Sequence, residues 1–107
     1  MLPRARIDLM TDQLLVRRVI VEGLIQGVGY RDYVRRAAAR HGLSGWVRNR
    51  SDGTVEALIK GAPDAIEAML SDLRSGPSGA RVETVRLVDL VSSEQRAEGT
   101  FEIRPTA

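Results

Sequence analysis

From Leu15 to Ile25 the chain reads L-V-R-R-V-I-V-E-G-L-I, a run dense in β-branched residues that predicts a central strand. A turn over Gln26 to Gly29 follows. Beyond it Tyr30, Tyr33, Val34, Ala37 and Ala38 recur at helical spacing while Arg35, Arg36 and Arg40 point elsewhere, which predicts an amphipathic helix. His41-Gly42 closes that helix, with Gly42 as a left-handed cap and basic residues near the negative end of the dipole. Leu43 to Asn49 and Thr54 to Lys60 read as strands joined by Arg50-Ser51-Asp52-Gly53, a hairpin with an Asp-Gly turn. Pro63 suits a first helical turn, Asp64 and Glu67 its positive end, and Ile66, Met69, Leu70 and Leu73 form one apolar stripe. Ser75-Gly76-Pro77-Ser78-Gly79 ends this second helix. Arg81 to Leu90 then sets Val82, Val85, Leu87 and Val88 among polar residues as a strand, and a short polar loop leads to a last strand near Thr100 to Arg104.

The order is β-α-β-β-α-β with one added strand, which predicts an α+β, ferredoxin-like sandwich. In it two helices cover one face of a mainly antiparallel sheet. That architecture implies no activity by itself, so a site must decide. Residues 1 to 14 carry mixed charge and little periodicity; they read as a flexible N-terminal extension, with Met10 a candidate start, and residues 15 to 107 as the domain.

Composition narrows the chemistry. At 107 residues, 43% hydrophobic and 28% charged, the chain fits one self-folding domain without a membrane span. Cysteine is absent and His41 is the sole histidine, so disulfides, thiolate sites and His-rich metal sites are excluded, and no metal or cofactor is expected. The first residues lack an apolar signal-peptide core, which makes the cytoplasm the expected location. The strands show no surplus apolar face, so a monomer is expected. The net charge is +2, and Lys60 is the single lysine among 16 basic residues. Arginine's planar fork suits phosphate, although a compositional bias towards Arg and Ala accounts for most of the excess.

The stretch Gly23-Leu24-Ile25-Gln26-Gly27-Val28-Gly29-Tyr30-Arg31 places two glycines between a strand and a helix. Such a loop turns backbone N–H groups inward and forms a concavity for anionic oxygens at the positive end of the helix. Arg31 lies in the first helical turn, where a cation opposes the macrodipole by roughly 0.3 to 1 kcal/mol; a bound dianion reverses the sign. On spacing alone a plain glycine turn with a solvated Arg explains the stretch equally well, since neither the P-loop nor the dinucleotide fingerprint is matched.

A second motif tips the balance. The sequence resembles acylphosphatases, small enzymes that hydrolyse acyl phosphates to carboxylate and phosphate, through G-x-V-Q-G-V-x-[FYM]-R at residues 23 to 31 and G-[FYW]-V-x-N-x-x-x-G-x-V-x5-G at residues 45 to 61. Ile25 replaces the usual Val, and Lys60 and the N-terminal extension also depart from the pattern, none at a position thought to act. The similarity spans about residues 15 to 104. It implies that the backbone N–H groups of Gln26, Gly27, Val28, Gly29, Tyr30 and Arg31, with the Arg31 guanidinium, hold the phosphoryl oxygens. It also implies that Asn49, on the neighbouring strand, orients the attacking water. A small-molecule acyl phosphate is then the substrate and inorganic phosphate the product and inhibitor, with the dianionic substrate itself a candidate acceptor of the water's proton.

Other residues have plainer readings. His41 sits at the far end of its helix and reads as a cap, Tyr30 and Trp46 as packing, and Arg48 and Arg50 either as anion-steering groups or as a solvated face. Asp52 belongs to the Asp-Gly turn and Asp32 to a helix start, so neither pairs with the other or with Glu22 as an acid/base couple. A nucleic-acid-binding module is suggested by Arg17, Arg18, Arg35, Arg36 and Arg40, but the aromatic strand that stacks bases in such sheets is missing, so neither nucleic acid nor membrane is expected as a partner. A non-catalytic phosphate-ligand module, such as the acylphosphatase-like domain of larger carbamoyl-transfer maturation proteins, is the remaining alternative.

Overall fold

The computed structural model describes residues 14 to 90 and 99 to 107. Residues 1 to 13 of the expected extension and 91 to 98 of the expected polar loop lie outside them. The elements are β1 (Leu15–Leu24), α1 (Tyr30–Arg40), β2 (Ser44–Asn49), β3 (Val55–Gly61), α2 (Pro63–Ser75), β4 (Arg81–Leu90) and β5 (Phe101–Ile103). They build one five-stranded sheet in the order β4-β1-β3-β2-β5. Every pairing is antiparallel except β2 with β5, which is parallel, so the sheet is mixed and the expected ferredoxin-like sandwich is the fold.

Strand alternation sets the two faces. Val19 and Val21 of β1, Val47 of β2 and Val55, Ala57 and Ile59 of β3 lie on the helix side and are fully buried. Against them pack Val34, Ala37 and Ala38 of α1 and Ile66, Met69 and Leu73 of α2, the same stripes that the helical spacing picks out. Burying each such aliphatic side chain stabilises the fold by roughly 1.5 to 3 kcal/mol relative to exposure. α1 rests over β2 and β5, and α2 over β4, so the start of α1 lies above one corner of the sheet.

The end of α1 is closed by a Schellman motif. Leu43 N–H donates to Ala38 C=O (2.9 Å) and Gly42 N–H to Ala39 C=O (3.2 Å), while Leu43 enters the core beside Ala38. Leu43 therefore belongs to the cap, and β2 begins one residue later than its apolar pattern suggests.

The face without helices holds a buried carboxylate. Glu56 is 1% exposed and accepts hydrogen bonds from Arg18 Nε (2.7 Å) and Arg48 Nε (2.8 Å). Burial pushes its carboxyl up, but the two guanidinium groups outweigh burial and hold it below its ordinary value. Because the folded-state value is lowered, the stabilisation is present above the ordinary 4.5 and is lost as pH falls through the lowered value. Glu56→Gln is expected to lower the unfolding free energy at neutral pH by about 1 to 3 kcal/mol, since both arginines are a third exposed and partly resolvate. Urea titrations should show the gap to wild type narrowing below pH 4.5. A gap independent of pH would assign the loss to packing alone.

Candidate active site

Between β1 and α1 the loop must reverse direction within a few residues. Gly27 and Gly29 meet this demand with φ of 79° and 80°, where an L side chain costs about 1 to 2 kcal/mol. No other residue type among the described residues has positive φ, so handedness alternates along 27 to 29, the arrangement that turns successive N–H groups to one side.

Gln26 fixes this loop to a distant part of the chain. Its Nε2 donates to the carbonyls of Arg50 and Thr54, both at 2.9 Å, on the turn that follows Asn49. β3 lies between β1 and β2, so Asn49 is one strand further from the loop than a direct neighbour would be. The Gln26 amide spans that gap and ties the loop to the hairpin bearing Asn49. Gln26→Glu sets a carboxylate against two carbonyl oxygens and removes both donors. It is expected to cost about 0.5 to 1.5 kcal/mol of stability and to weaken inorganic phosphate binding, both readable in a thermal melt with and without phosphate. Unchanged phosphate stabilisation would mean that the loop holds its shape without this tie.

α1 begins without a side-chain cap. Gly29 is its N-cap, and the first intrahelical bond runs from Tyr33 N–H to Gly29 C=O (3.0 Å), which leaves the earlier N–H groups free of intrahelical partners. Arg31 sits half-buried in this first turn and makes no ion pair or side-chain hydrogen bond among the described residues, whereas Arg35, Arg36 and Arg40 on the same helix are all paired. An unpaired cation at the positive end of a helix is unfavourable unless an anion joins it.

Asn49 faces the same space. It ends β2 on the helix side, two residues after the buried Val47, and its Oδ1 is buried yet accepts no hydrogen bond among the described residues. A buried acceptor without a donor costs roughly 1 to 3 kcal/mol. Gly27, Gly29, Tyr30, Arg31 and Asn49 line one open cavity of about 200 Å³. This is below the roughly 300 to 1,000 Å³ of sites for drug-sized ligands and fits a group of phosphoryl size near the surface.

Gln26 and Val28, expected to contribute backbone N–H groups, are not among the lining residues; Gln26 turns to the hairpin and Val28 packs against the core. Three lining residues were not expected as site groups. Ile25 and Ile103 supply apolar wall, and Ile103 arrives through the parallel pairing of β5 with β2, where it stands opposite Val47. Asp32 is the third, a carboxylate in a cavity suited to an anion.

The remaining candidates lie elsewhere. Tyr30 is 1% exposed and donates its hydroxyl to the Leu73 carbonyl (2.8 Å); burial, and then the neighbouring Tyr33, push its hydroxyl above the usual phenol range. His41 caps the other end of α1, with Nε2 2.7 Å from Asp72 Oδ2, about 15 Å along the axis from Arg31. Asp52 accepts from the Thr54 N–H (3.0 Å) and hydroxyl (2.6 Å), and Glu22 from Thr84 (3.0 Å) and Arg86 (3.2 Å), so the three carboxylates considered as pairs have separate partners. Trp46 lies on the helix-free face with Arg48 and Arg104 over its ring at 4.9 and 5.0 Å.

The sequence profile of the acylphosphatase family matches residues 17 to 103. An acylphosphatase of Acidovorax sp. is 46% identical over 92 residues, which is 86% of this chain and 92% of that protein. The crystal structure of acylphosphatase from Bacillus subtilis superposes with a TM-score of 0.78 at 34% identity, covering 86% of this chain and 99% of that one. Full-length HypF, in a phosphate- and nucleotide-bound form, contains a similar unit: TM-score 0.77 and 25% identity over 88% of this chain but 12% of that protein. Two layers with an anion-sized cavity at a helix start define the class, and the chain belongs to the acylphosphatase family.

Proposed function

We propose that the protein hydrolyses acyl phosphates to a carboxylate and inorganic phosphate. One observation carries this reading: a single cavity brings together a helix N-terminus without a side-chain cap, Arg31, which has no ion pair among the described residues, and Asn49. The backbone N–H groups of the loop and of the first turn, with the Arg31 guanidinium, take the phosphoryl oxygens. The side-chain amide of Asn49 orients the attacking water so that its oxygen points at phosphorus.

The new O–P bond forms as the bond from phosphorus to the acyl oxygen breaks. The electron pair leaves on the carboxylate, and the water's proton passes to a phosphoryl oxygen of the former substrate. Because a carboxylate is a good leaving group, positioning and charge stabilisation suffice without a strong general acid. The acyl portion faces the cavity mouth, so the chemistry of the phosphoryl end governs recognition.

The test is hydrolysis of benzoyl phosphate by the purified full chain in excess chelator, with inorganic phosphate added as a competitor. Turnover well above the uncatalysed rate with competitive inhibition by phosphate supports the proposal. Phosphate binding without turnover would instead make the site a phosphate-ligand module.

A further inference from the structure

Asp32 poses a problem for an anion site. It lines the cavity beside Arg31, and its position in the first turn of α1 places a carboxylate near the same free N–H groups that a phosphoryl group needs. Side chains on a helix lean towards its N-terminus, so a free Asp32 would tilt towards the loop. There it would repel a dianion and compete with it for the N–H donors, as a carboxylate does at any helix start.

Two arginines prevent this. Arg35 Nη2 donates to Asp32 Oδ1 at 2.5 Å and Arg36 Nε donates to Oδ2 at 3.0 Å. Both oxygens are thus engaged by residues three and four positions further along the helix, which leaves neither free to accept from the loop N–H groups. The hydrogen bond from Arg35, with the charges of both guanidinium groups, holds the Asp32 carboxyl below its ordinary value despite some opposing desolvation. All three side chains are about half exposed or more, so these pairs contribute little to stability and that alone does not account for a two-armed arrangement beside the cavity.

We propose that Arg35 and Arg36 are positioning residues that restrain Asp32, an internal anionic competitor, and thereby keep the cavity open to the phosphoryl group of a substrate. The inference rests on the reading of the cavity as a phosphate site. It does not require that the protein be a hydrolase. With the clamp closed, the group of Arg31, Asp32, Arg35 and Arg36 carries a net charge of +2, which also favours the approach of a dianion.

The test is a mutant cycle read by direct binding of inorganic phosphate, for example by calorimetry, at fixed ionic strength. Wild type, Asp32→Asn, the double variant Arg35→Gln/Arg36→Gln and the triple variant are compared. Asp32→Asn in the wild-type background should change phosphate affinity less than twofold, because both carboxylate oxygens are already engaged by the arginines. The double variant should bind about tenfold more weakly, and adding Asp32→Asn should restore at least fivefold. Where benzoyl phosphate is turned over, KM should follow the same pattern and kcat should stay nearly constant.

Equal effects of Asp32→Asn in both backgrounds would show simple additivity of surface charge and overturn the clamp, while leaving the hydrolase reading intact. Absence of phosphate binding in the wild type would overturn both readings. Phosphate binding with the expected coupling but no turnover would keep the clamp and remove the hydrolase. Because the three side chains to be replaced lie at the surface of one helix, all variants should melt close to wild type.

Discussion

Asn49→Ala is expected to lower kcat for benzoyl phosphate by at least about 10² to 10³, the usual effect of removing one preorganised polar group, with KM changed by no more than about twofold. The split follows from geometry. On the proposed reading the phosphoryl oxygens face the start of α1 and Arg31, whereas Asn49 approaches the cavity from the end of β2. A group that touches only the incoming water affects the barrier and leaves ground-state binding largely alone. Stability adds an independent check. Removing a buried acceptor that has no partner relieves a cost in the free protein, so Asn49→Ala should unfold at an equal or slightly higher urea concentration. A folded Asn49→Ala protein with wild-type kcat would take Asn49 out of the reaction. A loss confined to KM would move it to substrate binding.

Local pattern made most of the scaffold legible. Ile66, Met69, Leu70 and Leu73 are buried together on α2, and Tyr30, Val34, Ala37 and Ala38 on α1, because a period of 3.6 maps directly onto one face of a helix. β4 has the expected bounds, Arg81 to Leu90, but not the clean alternation its sequence suggests. Its apolar positions are unevenly spaced, and the pairing of β1 with β4 shifts register between Arg18 and Val19 and again between Glu22 and Gly23. Such irregularities break strict alternation, and Leu87 stays 53% exposed on this outer strand.

The candidate site was legible as two motifs, which only the family resemblance joined into one place. Nothing local states that the loop after β1 meets the end of β2 across the intervening β3; the link is the Gln26 amide on two carbonyls, a contact that leaves no periodic trace. Ile103 enters the cavity only through parallel pairing at the sheet edge, which depends on tertiary arrangement. Asp32 shows the opposite case. Its i+3 and i+4 arginines are visible in the sequence, but their consequence depends on where the helix start points.

Arg31 should separate function from stability most sharply. Arg31→Ala is expected to lower kcat/KM by about 10² to 10³ or more, roughly 3 to 4 kcal/mol of transition-state stabilisation, and to abolish inhibition by millimolar phosphate. Arg31→Lys should recover little of either, because a point charge replaces a planar fork that reaches two oxygens at once. In the absence of phosphate the same variants should behave differently. A cation in the first turn opposes the helix dipole, so its removal should leave the protein as stable or more stable by about 0.3 to 1 kcal/mol, less any packing lost from the arginine stem. Phosphate should then raise the melting temperature of wild type, as any ligand specific to the folded state does, and leave Arg31→Ala nearly unmoved. The opposite signs of the two effects are what a ligand-directed charge produces. Were Arg31 a structural residue, its loss would lower stability with and without phosphate alike, and activity would fall only in proportion to the folded fraction.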